Sequence, residues 1–231
     1  MAEPGSPALD GRVVLIAGAT SASGFAASRA LTSAGARVVA VGHDPARFDA
    51  LRSLDDGSGA GIRLEVCDLT DEESVGDLAE RVHREVGPVD GVLHLVGGWR
   101  GGGGLAGQSD DDYRFLERSF TALRHVSRTF DGDLRASDAG RLAVVSSTAV
   151  ARPLAGGANY AAVKAATEAW TRAIAQGFDK AARDAREPLR AAAVIFRVKA
   201  LEGLEDRLAA SFVDLWSADA ADVNDTVIEL A

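Results

Sequence analysis

Six short runs of apolar, largely β-branched residues, at 13–17, 37–41, 62–66, 91–96, 142–145 and 191–196, alternate with longer segments of helical periodicity. No other feature restricts this chain as much. Each run is too short for a stable helix and lacks strict apolar–polar alternation, so it reads as a strand covered on both faces. Strands separated repeatedly by helices need crossover connections, which are right-handed and give a parallel sheet. The expected fold class is therefore α/β, one doubly wound parallel sheet with helices on both faces. Helix starts are expected at Asp44-Pro45, at Thr70 with Glu73, and at Ser109 with Asp112, where a side-chain acceptor precedes an apolar-periodic stretch.

A length of 231 residues suits one domain, and no second pattern interrupts the alternation. Residues 1–10 are expected to form a flexible arm and 11–231 the domain. The Gly-rich passage from Gly97 to Gly104 reads as a loop after the fourth strand. A net charge of −9 argues against nucleic acid as a partner, since phosphates call for a basic face. No apolar stretch reaches the roughly 18 residues of a membrane span, and the start lacks the basic and apolar regions of a secretory signal. The single cysteine, Cys67, cannot pair within the chain and reads as a small core residue. A reducing, cytoplasmic setting is the expectation.

The first run ends in Ala17-Gly18-Ala19-Thr20-Ser21-Ala22-Ser23-Gly24 and leads into a helix. Small residues there let a backbone approach a pyrophosphate, and the helix N-terminus offers amides and a positive dipole end. The same glycines would also serve a plain tight turn. Further on, Tyr160 and Lys164 stand four residues apart, on one face of a helix. A phenol is a poor acid–base group at neutral pH, and a neighbouring ammonium is expected to lower its pKa. Ser147, thirteen residues before Tyr160, follows a strand and could hydrogen-bond a substrate oxygen.

In this order the elements resemble the short-chain dehydrogenase/reductase family, whose turn reads Thr-Gly-x-x-x-Gly-x-Gly. Gly18 and Gly24 fall on its first and third glycines, while Ala17 and Ala22 replace the threonine and the middle glycine. Alanine at Ala22 is compatible with binding if φ there stays negative. The resemblance implies an NAD(P)-dependent oxidoreductase acting on a small carbonyl or alcohol, with Tyr160 as general acid/base, Ser147 beside it, and Lys164 also holding the nicotinamide ribose. It places Thr20, Ser21, Ser23, Gly42, His43, Asp68, Leu69, Val96 and Gly97 with the two turn glycines around the cofactor. Asp68 matches the acid that holds the adenine ring. His94-Leu95-Val96-Gly97 stands where the family has Asn-Asn-Ala-Gly, and His94 reads as a structural residue beneath the cofactor. Homodimers or homotetramers through the helices carrying Ser119 and Tyr160 are also implied.

Two departures stand out. Ser119 occupies the place of the fourth catalytic residue, an asparagine, and Phe196-Arg197 the place of a Pro-Gly pair. The segment from Lys199 onward leaves little chain for a substrate lid. Gly42 stands where an NAD enzyme carries an acid, and His43 follows it, so NADP is expected in moderate preference to NAD, with Gly42→Asp shifting the preference toward NAD. The loop Gly97-Gly98-Trp99 resembles that of dihydropteridine reductase, which keeps a pterin or quinonoid reductase as an alternative. A non-catalytic NADP-sensing regulator is a third reading.

Overall fold

The computed structural model describes residues 9–54 and 61–231. Seven parallel strands form one sheet in the order β3-β2-β1-β4-β5-β6-β7. They are β1 (Val13–Ala17), β2 (Arg37–Gly42), β3 (Ile62–Val66), β4 (Gly91–His94), β5 (Arg141–Ser147), β6 (Ala192–Val198) and β7 (Val227–Leu230). The helices are α1 (Ala22–Ser33), α2 (Asp49–Arg52), α3 (Glu72–Glu85), α4 (Asp110–Ala136), α5 (Ala158–Ala185), α6 (Glu205–Asp214) and α7 (Ala220–Val223).

Side chains alternate between two cores across the sheet. Leu15, Val39, Val92 and Val144 pack with Val75, Val126, Phe130 and Phe178 of α3, α4 and α5. Ile16, Ala40, Leu93 and Val194 pack with Leu31, Leu51, Leu208 and Phe212 of α1, α2 and α6 on the other face. Burial on both faces is why the central strands carry no polar alternation. Among the described residues, no helix is long and apolar enough to cross a membrane.

Several local details differ from the sequence reading. Asp44 does cap, accepting from the Ala46 amide at 3.0 Å, but the turn it starts is a 3-10 helix at Pro45–Phe48 that runs into the short α2. The cap of α3 is Asp71, not Thr70. Its carboxylate, a stronger acceptor than a hydroxyl, takes the Ser74 amide at 3.1 Å, while Thr70 turns back to Asp68. Ser109 caps α4 as expected, accepting from Asp112 N. β7 was not recognised in sequence: it is four residues long and partly exposed at the sheet edge, so it carries little apolar signal. Of the expected arm, residues 1–8 lie outside the described residues, and Leu9 is buried in the core.

β6 runs past the position of the expected Pro-Gly. Phe196 is fully buried against the α6 side, and Arg197 stays in register between Ser146 of β5 and Glu229 of β7. Arg197 Nη2 donates to Glu168 of α5 at 2.8 Å, and Ser146 Oγ donates to Glu168 Oε1 at 2.7 Å. The Glu168 side chain is 4% exposed. Burial raises its pKa, but the Arg197, Ser146 and Arg172 hydrogen bonds outweigh it and leave the carboxyl below its usual value. Removing one member of a buried ionic cluster strands the others. Glu168→Ala is therefore expected to cost about 3 kcal/mol of stability, read from urea unfolding; a loss within experimental scatter would show that the cluster is not holding α5 to the sheet.

Candidate active site

β1 and β4 are neighbours although β2 and β3 lie on the far side of β1, so the chain leaves the sheet in opposite directions from their C-terminal ends. This reversal opens a cleft of about 560 Å³. Open α/β sheets bind ligands at such a switch point.

The turn after β1 is shaped by contact. Gly18 has φ +87°, and a Cβ there would lie 3.0 Å from the Leu95 backbone. A Cβ on Gly24 would run into the Ala19 carbonyl, so α1 can approach the strand only with glycine at that position. Ala22 has negative φ, because among described non-glycine residues only Arg186 and Asp225 are positive. The Ser21 hydroxyl is already engaged. It accepts from Gly24 N at 3.1 Å and donates to Gly18 O at 3.0 Å, so it shapes the turn.

Ten of the residues picked out in sequence line the cleft: Gly18, Thr20, Ser21, Gly42, His43, Asp68, Leu69, Val96, Gly97 and Ser119. Ser23 and Gly24 lie behind it, in the first turn of α1. Two cations that the sequence reading missed, Arg47 and Arg118, also line it. Arg47 Nη2 donates to Thr20 O at 3.3 Å, and Arg118 reaches Asp68 at 3.4 Å. Both sit on helical surfaces, where a basic residue carries no distinguishing sequence signal. Asp68 is held below the usual carboxylate range by the Thr70 hydroxyl and amide, with Arg118 and His43 adding their charge.

Ser147 ends β5, and Tyr160 and Lys164 project from the first two turns of α5. Lys164 Nζ donates to Val145 O at 2.7 Å and lies 5.8 Å from the Tyr160 ring centre. Desolvation of the ammonium end brings the Lys164 pKa down to about 8. The Tyr160 pKa is raised, contrary to the sequence expectation: burial favours the neutral phenol, and only the Ser147 hydroxyl opposes it. The Lys164 ammonium donates to the Val145 carbonyl and not to the phenol.

Ser119 and His94 are held against each other beside this group. The Ser119 hydroxyl donates to Leu116 O in its own helix at 2.7 Å, while its backbone carbonyl faces His94 Nε2 at 3.0 Å. A carbonyl only accepts, so Nε2 carries the proton. His94 is 4% exposed and its Nδ1 has no partner. Burial first, and then the charge of Lys164, push its pKa down to about 4.

The family profile of the short chain dehydrogenases matches residues 12–182. The 2,3-dihydro-2,3-dihydroxybenzoate dehydrogenase of Bacillus subtilis is 27% identical over 167 residues, which is 72% of this chain and 64% of that protein. The chain thus matches less than two thirds of that relative's length. A short chain dehydrogenase structure from Pseudomonas syringae superposes with a TM-score of 0.84 at 21% identity, covering 98% of each chain. One from Shigella flexneri, complexed with NADP, gives 0.84 at 19% identity, covering 97% of this chain and 99% of that one.

His94 gives the site a measurable pH signature. Its folded pKa of about 4 lies below its ordinary 6.5, so between these values the unfolded chain takes up a proton that the folded chain refuses. That share of stability is present above pH 6.5 and is lost as pH falls toward 4. Urea unfolding across this window should show a shallower decline for His94→Gln than for the wild type; parallel curves would mean that His94 protonates as readily inside the fold as outside.

Proposed function

The chain belongs to the short chain dehydrogenase family, an oxidoreductase family, and on that premise we propose that it reduces a small carbonyl compound with NADP(H), using Tyr160 as the acid. The observation that carries this reading is the grouping at the ends of β5 and α5. Ser147 and Tyr160 are close enough for the serine hydroxyl to act on the phenol, and Lys164 is anchored one helical turn on.

A bound nicotinamide dinucleotide would supply or accept the hydride. The chain's own residues do the rest. Gly18 and the first turn of α1 accommodate a pyrophosphate, and Lys164 offers its remaining N–H donors to ribose hydroxyls. Ser147 donates to the substrate oxygen, favouring negative charge as it develops there. Tyr160, kept a neutral phenol by burial, holds the proton that this oxygen needs. At neutral pH such a phenol is in its protonated form, the form that reduction requires. A cellular setting that keeps thiols reduced agrees with the free, buried Cys67, whose pKa burial pushes up to about 11.

Cofactor choice rests on the wall beside Gly42. His43 and Arg47 border the cleft there, and no acid occupies the Gly42 position, so a 2′-phosphate would meet the Arg47 guanidinium. The Gly42→Asp variant carries a steric cost beside its charge. A Cβ at Gly42 would lie 2.8 Å from Thr20 Cγ2 and 3.1 Å from Phe48 Cζ, so that variant would disturb the turn as well as the charge. Arg47 is the cleaner probe.

One observation favours the second reading, a pterin or quinonoid reductase. Trp99 is 63% exposed on the loop after β4, where its ring can stack on a flat substrate. A carbonyl panel that includes a quinonoid dihydropterin, followed by NAD(P)H absorbance, separates the two.

In that assay Tyr160→Phe is expected to lower kcat by about 10² to 10⁴-fold while cofactor affinity stays within a few-fold; retained turnover would show that another group is the acid. Arg47→Ala is expected to weaken NADPH binding by about tenfold, the scale of one charge-assisted hydrogen bond, and to leave NADH nearly unchanged. Equal loss for both cofactors would remove Arg47 from the 2′-phosphate site.

A further inference from the structure

Resting on the proposed carbonyl chemistry, we propose that Gln108 is a positioning residue for Tyr160: its carboxamide caps the helix that carries the tyrosine and clasps the glycine-rich loop onto that helix. α5 begins at Ala158 with no side-chain cap of its own, because Gly157 stands at the cap position. The missing acceptor comes from another part of the chain. Gln108 Oε1 accepts the Asn159 amide at 3.2 Å, one residue before Tyr160. An amide in the first turn of a helix has no intrahelical acceptor, so an acceptor from outside fixes the direction of that turn.

The other end of the same side chain faces three carbonyls. Gln108 Nε2 lies 3.0 Å from Gly102 O, 3.0 Å from Gly156 O and 3.3 Å from Gly104 O, so its two hydrogens are shared among them. The orientation is dictated by chemistry. Turning the amide over would set an oxygen against three oxygens and a donor against the Asn159 donor. A backbone bond from Gly102 N to Gly156 O at 2.7 Å closes the crossing, and Asn159 Nδ2 ties back to Ser109 O at 3.1 Å. Ser109 is the cap of α4. One carboxamide thus couples the starts of the two long helices to the loop between β4 and α4.

That loop bears exposed apolar groups, Trp99 and Leu105, and Leu154 stands exposed on the facing segment before α5. In this proposal the two segments, held together at Gly102 and Gly156, serve as the outer walls of the approach to Tyr160. The two ends of Gln108 therefore have separable duties. The oxygen sets where Tyr160 points, which is a matter of kcat, and the nitrogen sets the spacing of the walls, which is a matter of KM.

Two variants divide these duties. Gln108→Ala removes both ends. Gln108→Glu keeps an acceptor for Asn159 N but turns a carboxylate on the three carbonyls. Amide hydrogen exchange on the cofactor-free protein is the first readout and needs no substrate. Exchange at Gly102 should rise by about tenfold in both variants and exchange at Asn159 only in Gln108→Ala. Steady-state reduction of menadione, used as a quinone carbonyl probe, is the second. Gln108→Glu should keep kcat and raise KM several-fold, whereas Gln108→Ala should also lose about tenfold in kcat, with NADPH affinity unchanged in both. Unchanged exchange at both amides in Gln108→Ala would overturn the clasp, and equal kinetic losses in the two variants would overturn the division of duties. A wild-type protein inactive on menadione and on every carbonyl of the panel would count against the chemistry alone, with the exchange result still deciding the clasp.

Discussion

All seven strands run the same way, and the sheet therefore has one end where every strand delivers its chain into a loop or a helix N-terminus. Parallel strands require crossovers, and crossovers of fixed hand oblige the chain to reverse its progress across the sheet somewhere in order to cover both faces. Here it reverses between β1 and β4. Each element of the candidate site stands at that end: the Gly18 turn, Gly42, Asp68, Gly97, Ser147 and the start of α5. No local feature of those segments would bring them together. Apolar burial on both sheet faces holds the strands in register, and the cleft is the space left where helices diverge.

Within that frame, the chain meets its departures from the family pattern by changing partners. Where the pattern has Pro-Gly, β6 simply continues, because Arg197 finds a buried carboxylate in Glu168 and an edge partner in Glu229. Six residues then connect β6 to α6, which packs on α1 with Arg29 and Asp206 paired at 2.7 Å. That places the C-terminal helices on the opposite face from α4 and α5. The loops after β4 and β5 meet at Gln108, whose carboxamide reaches Gly102 and Gly156.

Charge at the site is controlled by desolvation more than by pairing. Lys164 and Tyr160 both move toward their neutral forms through burial, and His94 is held neutral between a strand neighbour and the Ser119 carbonyl. The fixed cations Arg47 and Arg118 line the cleft itself.

The sequence by itself determined the sheet class, six of the seven strands and the pairing of Tyr160 with Lys164, because these depend on short-range periodicity: apolar runs of strand length, and side chains one helical turn apart. It also located most of the cleft, since the glycine turn and the strand ends recur at regular places along an alternating chain. The tertiary structure alone decided what depends on distant neighbours. The direction of the Tyr160 pKa followed from burial that no local pattern records. The steric closure of Gly42 came from Thr20 and Phe48, and the Arg47 and Arg118 side chains joined the cleft only when their helices were packed. Gln108 reads as an ordinary loop residue until the crossing at Gly156 is formed. The reason is physical: periodicity is written in neighbours along the chain, whereas desolvation, steric fit and a hydrogen bond across 51 residues exist only between segments that folding has brought together.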